Sequence, residues 1–106
     1  MGTAVNRGEI WLAHVGKKRR PVLILTRSEV LEVRDLVTVA EVTTSIRGLT
    51  VEVKIDHVVV GLDSPSVINC DGLHTVTQAS LTGPIGRASE DVMREVCSAI
   101  NQAVGC

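Results

Sequence analysis

Two polar clusters interrupt the apolar segments of this 106-residue chain, and both contain side chains suited to binding phosphate. The first is a run of four basic residues, Lys17, Lys18, Arg19 and Arg20, which is followed by Pro21. Proline restricts the preceding residue to extended backbone, so we expect Arg20 to be fixed at a strand start, where its guanidinium can bind two phosphate oxygens at once. A basic run of this length is also typical of a solvated turn, and both interpretations stay open at this point.

The second cluster consists of Thr43, Thr44 and Ser45, with Arg47 close behind. Three consecutive hydroxyl groups can donate hydrogen bonds to phosphate oxygens. Serine and threonine are also common in ordinary turns, so this cluster alone does not establish a site.

Three histidines are candidates for acid–base chemistry because imidazole titrates near neutrality. We expect His14 to be structural, since it lies in an apolar segment, whereas His74 opens a predicted strand directly after a turn and is the more interesting residue. The spacing of the cysteines and histidines fits no metal site, and the Walker A, GxSxG, HExxH and Rossmann motifs are absent from the sequence. We therefore expect neither a metal nor another cofactor.

Composition excludes several function classes. The net charge is −1, from 11 basic and 12 acidic residues, so attraction to nucleic acid or to an anionic membrane must come from a local patch. Trp11 is the only aromatic residue, which argues against proteins that stack bases on rows of aromatic side chains. Three cysteines without paired spacing, no signal-peptide pattern and no long apolar segment predict a reduced, cytoplasmic protein that does not bind membranes.

Short strands followed by one helix must position these clusters. Apolar runs and period-two alternation predict strands over residues 9–15, 22–26, 36–42, 50–55, 66–69 and 74–78. A turn is expected over residues 16–20, a helical turn over 28–33, and an interruption over 83–86. Helical spacing of apolar residues predicts a helix that Ser89 caps and Gly105 ends. The fold class is therefore mainly β, with a small bent sheet or partly open barrel and a C-terminal helix packed on it.

The order of several sequence blocks resembles the MazF/PemK family of toxin endoribonucleases. The blocks are RGEIW at 7–11, RPVLIL at 20–25, VTTS at 42–45, GL at 61–62 followed by SVI at 66–68, and the closing segment 85–104. Together they span nearly the whole chain. The resemblance implies one MazF-like domain over residues 1–106, with its core over about 7–105, folded as an SH3-like partly open barrel of the MazF/PemK/CcdB type. It also implies a homodimer with RNA in a groove across the dimer interface.

The resemblance further implies the chemistry and the partners. Such toxins cleave single-stranded RNA at short sequence motifs, without a metal, when the 2′-hydroxyl attacks the adjacent phosphate and leaves 2′,3′-cyclic phosphate and 5′-hydroxyl ends. A cognate antitoxin neutralises them. The family's catalytic arginine and threonine match Arg20 and Thr43. We expect Arg20 to take part in proton transfer and to neutralise developing charge, and Thr43 to donate to the non-bridging oxygens. The expected RNA-binding residues are Lys17, Lys18, Arg19, Thr44, Ser45, Arg47 and His74.

This chain departs from the family pattern in two places. Many relatives carry an acidic residue in the first loop, but none lies between Val15 and Pro21 here, so a carboxylate base is missing unless Glu9 or Glu41 substitutes for it. The family's glutamine and arginine after the SVI block are replaced by Gly72 and His74, so His74 is expected to make activity pH-dependent. We also expect an altered base preference.

Two other function classes remain open on the sequence alone. A CcdB-like toxin that binds gyrase without enzymatic activity has the same fold and would not need Arg20 or Thr43. An inert interaction module, or a family member that has lost activity through its shortened loop, is the third possibility. The sequence does not identify the cleavage motif, the class of RNA or the antitoxin.

Overall fold

Six antiparallel strands form one sheet that curls into a partly open barrel, in the order β4-β5-β3-β2-β1-β6. The computed structural model describes residues 4–15 and 17–104. The elements are β1 (Glu9–Val15), β2 (Lys18–Ile24), α1 (Ser28–Leu31), β3 (Leu36–Thr43), β4 (Glu52–Ile55), β5 (Ser66–Thr77), a 3₁₀ turn (Gln78–Ser80), β6 (Thr82–Arg87) and α2 (Glu90–Val104). This architecture confirms the predicted mainly β fold with a C-terminal helix.

The two faces of the sheet carry separate apolar cores. On one face α2 packs against β4 and β5 and buries Val96 and Ala99 with Leu23 and Ile68. The opposite face buries a second cluster, which includes Trp11, Val22, Ile24, Val37, Val39 and Leu81. Because the middle strands are covered on both sides, β2 and β3 contain nearly continuous apolar runs rather than clean alternation. The strands that carry the predicted site are therefore anchored from both faces.

The basic run lies mostly in a strand, so the prediction of a turn over residues 16–20 is wrong. β1 pairs with β2 as far as Lys18, with Ala13 opposite Arg20 and Leu12 opposite Pro21. β3 pairs only with the part of β2 from Val22 onward. Proline is accommodated inside β2 because β3 has not yet joined it at that point. Pairing with β1 thus overrides the low strand propensity of a basic run.

β5 is one continuous strand where the sequence suggested two short ones. Glu41 pairs with Asn69 while Ala40 pairs with Leu73, so residues 70–72 of β5 have no partner on β3 and form a bulge. Bulges of this kind bend a strand and change the direction of the side chains that follow. The apolar pattern in the sequence is interrupted at this bulge, although the chain stays in the sheet.

Of the remaining predictions, the Ser89 cap is confirmed and the interruption over residues 83–86 is wrong. The segment 83–86 belongs to β6, which pairs with β1, and is not an interruption. Ser89 caps α2 by accepting a hydrogen bond from the backbone N–H of Val92 at 3.1 Å, while the predicted stop at Gly105 lies outside the described residues. Trp11 is buried in the core, and its indole N–H donates to Glu9 at 3.2 Å. No helix within the described ranges is long and apolar enough to cross a membrane.

Two of the three cysteines can be described, and both are free thiols. Cys70 is buried and Cys97 is exposed, whereas Cys106 lies outside the described residues. Burial, together with the nearby Cys97, raises the pKa of the Cys70 thiol to about 11. Cys70 therefore acts as a small apolar core residue.

Candidate active site

The candidate site lies where β2 and β3 diverge. Their last paired residues are Val22 and Glu41, and the same register continued two residues further brings Arg20 opposite Thr43. At this open end two adjoining cavities share Arg20 and Thr43 in their linings. The structure therefore brings together the two residues expected to be catalytic, although they are 23 positions apart in the sequence.

The two cavities differ in what else lines them. The first extends toward the segment between β4 and β5 and is also lined by Lys18, Pro21, Val42, Thr44, Leu62, Asp63, Ser64 and Ser66. The second is also lined by Glu41, Ser45, Arg47 and Asn69. Three cationic side chains (Lys18, Arg20 and Arg47) thus surround the shared centre. Such a distribution suits an anionic ligand that extends through both cavities.

Arg20 is placed by strand alternation and has one ion-pair partner among the described residues. Lys18 and Arg20 share one face of β2, and Arg19 lies on the opposite face. The Nη1 atom of Arg20 donates to Oε1 of Glu41 at a long 3.5 Å. A guanidinium has five N–H donors, so this contact leaves most of the donor capacity of Arg20 for a ligand.

Glu41 connects Arg20 to His74, and this link joins three strands. Its Oε2 atom lies 3.1 Å from Nε2 of His74, which must donate because an ionised carboxylate only accepts. Gly72 makes room for this arrangement, since a Cβ there would lie 2.8 Å from Oε2 of Glu41 and 3.0 Å from Nδ2 of Asn69. The β5 bulge therefore provides the space that Glu41 occupies, and the paired residues that follow it provide the histidine that contacts Glu41.

The hydroxyl of Thr43 is oriented by its own strand end. The backbone N–H of Ser45 donates to Oγ1 of Thr43 at 3.0 Å. Because this contact uses the oxygen as an acceptor, the hydroxyl hydrogen is still available for donation. Thr43 can therefore act as a fixed hydrogen-bond donor in front of Arg20.

The loop after β3 is organised by a second carboxylate, Glu52. Its side chain accepts hydrogen bonds from the backbone N–H groups of Arg47, Gly48 and Leu49 at 2.8–3.3 Å, and from Nε of Arg47 at 3.4 Å. Burial raises the pKa of Glu52, but the hydrogen bonds from the backbone of Arg47, Leu49 and Gly48 and from the Arg47 side chain outweigh it. The net pKa therefore lies below its ordinary value of 4.5. Glu52 thereby fixes the backbone that carries Arg47 into the second cavity.

The other predicted RNA-binding residues are distributed around this centre. Thr44 lines the first cavity, Ser45 lines the second, and the side chains of Lys17 and Arg19 are exposed without lining either. His14 is exposed on β1 and lines neither cavity. Within residues 4–15 and 17–104, no group of three or more His, Cys, Asp or Glu side chains is arranged to hold a metal ion.

Glu41 has only a weak signal in the sequence. It was named only beside Glu9 as a substitute carboxylate, and Glu9 is instead used inside the fold, where it accepts from the backbone of Asn6 and the indole of Trp11. The available signal was a lone acidic residue inside an apolar strand, two positions before Thr43 and hence on the same face. Asn69 was missed altogether, because its approach to the site depends on strand pairing.

Comparison with known proteins identifies a family that matches most of the chain. A family model described as PemK-like, MazF-like toxin of type II toxin–antitoxin system matches residues 6–104. The chain is 36% identical to probable endoribonuclease MazF5 of Mycobacterium tuberculosis over 103 residues, which covers 94% of this chain and 93% of the relative. It is also 49% identical to endoribonuclease MazF3 of the same organism over 69 residues, with 65% and 66% covered.

Solved structures give the same result for the fold. The Mycobacterium tuberculosis toxin MazF-mt6 superposes with a TM-score of 0.85 at 40% identity, covering 92% of this chain and 96% of that one. An endoribonuclease from a mycobacterial species, solved in complex with its cognate antitoxin, superposes with a TM-score of 0.84. Its identity to this chain is 21%, with 96% of each chain covered, so this second likeness concerns the fold alone.

Proposed function

The chain belongs to the family of PemK-like, MazF-like toxins of type II toxin–antitoxin systems, and from this premise we propose that it is a toxin endoribonuclease that cleaves single-stranded RNA without a metal ion. The observation that carries the proposal is that Arg20 and Thr43 line the same two cavities, at the open end of the β2–β3 ladder. The relatives named as endoribonucleases favour this function over the CcdB-like alternative. A gyrase-binding toxin would need no paired guanidinium and hydroxyl in a cavity.

The proposed reaction is an attack of the RNA's own 2′-hydroxyl on the adjacent phosphorus. As the bond from the 2′-oxygen to phosphorus forms, the bond from phosphorus to the 5′-oxygen breaks, which leaves a 2′,3′-cyclic phosphate and a 5′-hydroxyl. Arg20 neutralises the charge that accumulates on the non-bridging oxygens, and Thr43 donates a hydrogen bond to one of them. Both groups are held by strands that pack on two cores, so little reorganisation is needed in the transition state.

RNA binding is proposed to depend on phosphate contacts. Lys18 and Arg47 line the cavities on either side of Arg20, and Lys17 is exposed just before β2. With one aromatic residue in the chain, and that one buried, base stacking contributes little. Affinity is therefore expected to fall steeply with salt concentration.

The proposed assembly is a homodimer that a cognate antitoxin neutralises. This proposal follows from the family, which is described as one of type II toxin–antitoxin systems. Light scattering of the purified protein should give twice the chain mass of 11.3 kDa. Co-expression with the protein encoded next to it should suppress RNA cleavage.

The first experiment is to incubate the purified protein with a long transcript of mixed sequence in EDTA and to map the new ends. We expect discrete cleavage sites with 2′,3′-cyclic phosphate and 5′-hydroxyl ends. Absence of cleavage, combined with inhibition of purified gyrase, would instead establish the CcdB-like alternative. Cleavage that requires added Mg²⁺ would refute the metal-free mechanism.

Thr43→Val tests the role of the hydroxyl at nearly constant side-chain shape. Removal of one such donor costs on the order of 10²–10³-fold in kcat, which we expect for an oligonucleotide that spans one mapped site. Thr75→Val is the matched control, because Thr75 is exposed on β5 and lines neither cavity at the site. Equal kcat values for the two variants would show that the Thr43 hydroxyl does not take part in the reaction.

A further inference from the structure

We propose that Glu41 is the general base that accepts the proton of the attacking 2′-hydroxyl, and that His74 is the positioning residue that holds its carboxylate. This inference rests on the proposed function and specifies which side chain removes the proton of the 2′-hydroxyl. No acidic residue lies between β1 and β2, and the sequence does not decide whether Glu9 or Glu41 takes the place of a loop carboxylate. The structure places a carboxylate against Arg20 from a different strand.

The position of Glu41 fits the role of a base. It lies on the same face of β3 as Thr43 and lines the same cavity as Arg20 and Thr43. A phosphate held by Arg20 and Thr43 would therefore lie beside this carboxylate. The side chain is only 19% exposed, so its orientation is set by protein contacts and not by solvent.

Asp63 is the rival carboxylate, because it lines the other cavity that Arg20 and Thr43 share. It is an exposed residue in the segment between β4 and β5. Glu41, in contrast, is fixed by Arg20 on one oxygen and His74 on the other. A general base must be held within hydrogen-bond reach of the proton that it accepts, and this restraint favours Glu41.

His74 acts through Glu41. Its Nε2–H donates to Oε2, which leaves Oε1, with its long 3.5 Å contact to Arg20, as the oxygen more easily released toward a substrate proton. The charged groups that face Glu41 are Arg20 from β2 and His74 from β5, and Arg47 lines the same cavity from the loop after β3. All three side chains can donate hydrogen bonds, and the contacts from Arg20 and His74 hold the carboxylate in place.

Every proton in the proposed step has a donor and an acceptor. The 2′-hydroxyl proton passes to Glu41 as the 2′-oxygen bonds to phosphorus. The departing 5′-oxygen takes a proton from water, since the site is partly open to solvent. The resulting hydroxide then removes the proton from Glu41, which restores the carboxylate for the next turnover.

The test compares Glu41→Gln with Asp63→Asn on one oligonucleotide. We expect Glu41→Gln to lower kcat by on the order of 10²–10⁴-fold, the usual contribution of a general base, with unchanged affinity for the same oligonucleotide carrying a 2′-deoxy residue at the cleavage site. Asp63→Asn should retain kcat. The reverse pattern, or full kcat in Glu41→Gln, would overturn the assignment. Failure of the wild type to cleave any RNA would instead refute the proposed function itself.

A substrate with sulfur in place of the leaving 5′-oxygen separates base from acid. Thiolate leaves without protonation, so loss of an acid is masked by this substrate and loss of a base is not. We expect Glu41→Gln to remain defective on it, and recovery of the wild-type rate would show that Glu41 acts as the acid. If Glu41→Gln does not fold, Glu41→Asp provides the same test, with a smaller expected defect because the carboxylate is retained but withdrawn.

Two substitutions of His74 test its positioning role. Gln places an amide nitrogen near the position of Nε2, whereas Asn places one near Nδ1. We expect His74→Gln to retain most of kcat and His74→Asn to lose it, with KM similar in both. Equal kcat in the two variants, or a change confined to KM, would show that His74 does not act through Glu41.

Discussion

Two glutamates, Glu41 and Glu52, each contact an arginine at the candidate site, but they differ in their other partners. The side chain of Glu52 is 2% exposed and is bound by three consecutive backbone N–H groups as well as by Arg47. The side chain of Glu41 is 19% exposed and, among the residues that the structure describes, is bound by the side chains of Arg20 and His74 alone. The more deeply buried carboxylate is therefore bound mainly by backbone groups, and the less buried one by ionisable side chains.

This difference shows that burial alone does not identify a functional carboxylate. A buried carboxylate must have its hydrogen bonds satisfied, and backbone donors satisfy it permanently by fixing a loop. A carboxylate satisfied by ionisable side chains, beside an open cavity, can exchange one of those contacts for a substrate proton. We therefore assign Glu52 to structure and Glu41 to chemistry. Four substitutions, Arg20→Ala, Arg47→Ala, Gly72→Ala and Glu52→Gln, test that distinction.

The largest effect is expected from removing the arginine of each pair. Arg20→Ala should lower kcat by at least the 10²–10³-fold typical of one lost transition-state donor, because it removes charge from the phosphate and a restraint from Glu41. Arg47→Ala should mainly raise KM, since Glu52 still holds the loop through backbone donors. Steady-state kinetics on one oligonucleotide measure both parameters.

Arg34→Ala is the control for loss of a positive charge. Arg34 is exposed and precedes β3 at the end opposite to the site, so both kinetic parameters should stay near the wild-type values. If Arg47→Ala lowers kcat as much as Arg20→Ala does, the two glutamate–arginine pairs are functionally equivalent and the comparison fails.

The sequence predicts Arg20 and Thr43 as site residues but does not establish how they come together. Their blocks lie 23 positions apart, and only the β2–β3 register places the two residues opposite each other. Alternation along β2, once its start at Lys18 is known, also separates Arg19 from Arg20. The sequence does not predict that β2 begins at Lys18, because pairing with β1 extends this strand through residues of low strand propensity.

The contact between Glu41 and His74 could not be predicted for a different reason. The two residues meet because the register of β3 on β5 shifts at residues 70–72. A bulge of this kind depends on long-range pairing, and its local signal is confined to Asp71-Gly72, which is also typical of a turn. The pattern of apolar and polar residues was therefore sufficient to predict the fold class. It was insufficient to predict the contacts among Arg20, Glu41 and His74.

An intermediate effect is expected from Gly72→Ala, which disturbs Glu41 without changing any charge. The new Cβ would lie 2.8 Å from Oε2 of Glu41, so the carboxylate must move away from His74. The obstructing atoms are the ends of flexible side chains, so we expect the protein to fold. Its kcat should decrease less than that of Glu41→Gln.

A double-mutant cycle makes this prediction specific. If Gly72→Ala acts through Glu41, it should have little further effect on kcat in the Glu41→Gln background. Additive losses would mean that the substitution distorts β5 in general, and the argument that Gly72 provides space for a catalytic carboxylate would be wrong.

The smallest effect on catalysis, and the clearest effect on stability, is expected from Glu52→Gln. Because the folded-state pKa of Glu52 is lowered, the folded protein binds fewer protons than the unfolded chain just below the ordinary value of 4.5. The ionised carboxylate therefore stabilises the fold above that pH, and this stabilisation is lost as the pH falls through the lowered pKa.

Urea denaturation between pH 3 and pH 7 measures this effect. The free energy of unfolding should decrease more steeply toward low pH for the wild type than for Glu52→Gln. At pH 7 the variant should be less stable but should retain kcat, because Glu52 touches backbone and not substrate. If the free energy of unfolding depends on pH in the same way for both proteins, Glu52 does not have the structural role assigned to it. A large loss of kcat in a folded Glu52→Gln variant would mean that both glutamates take part in catalysis.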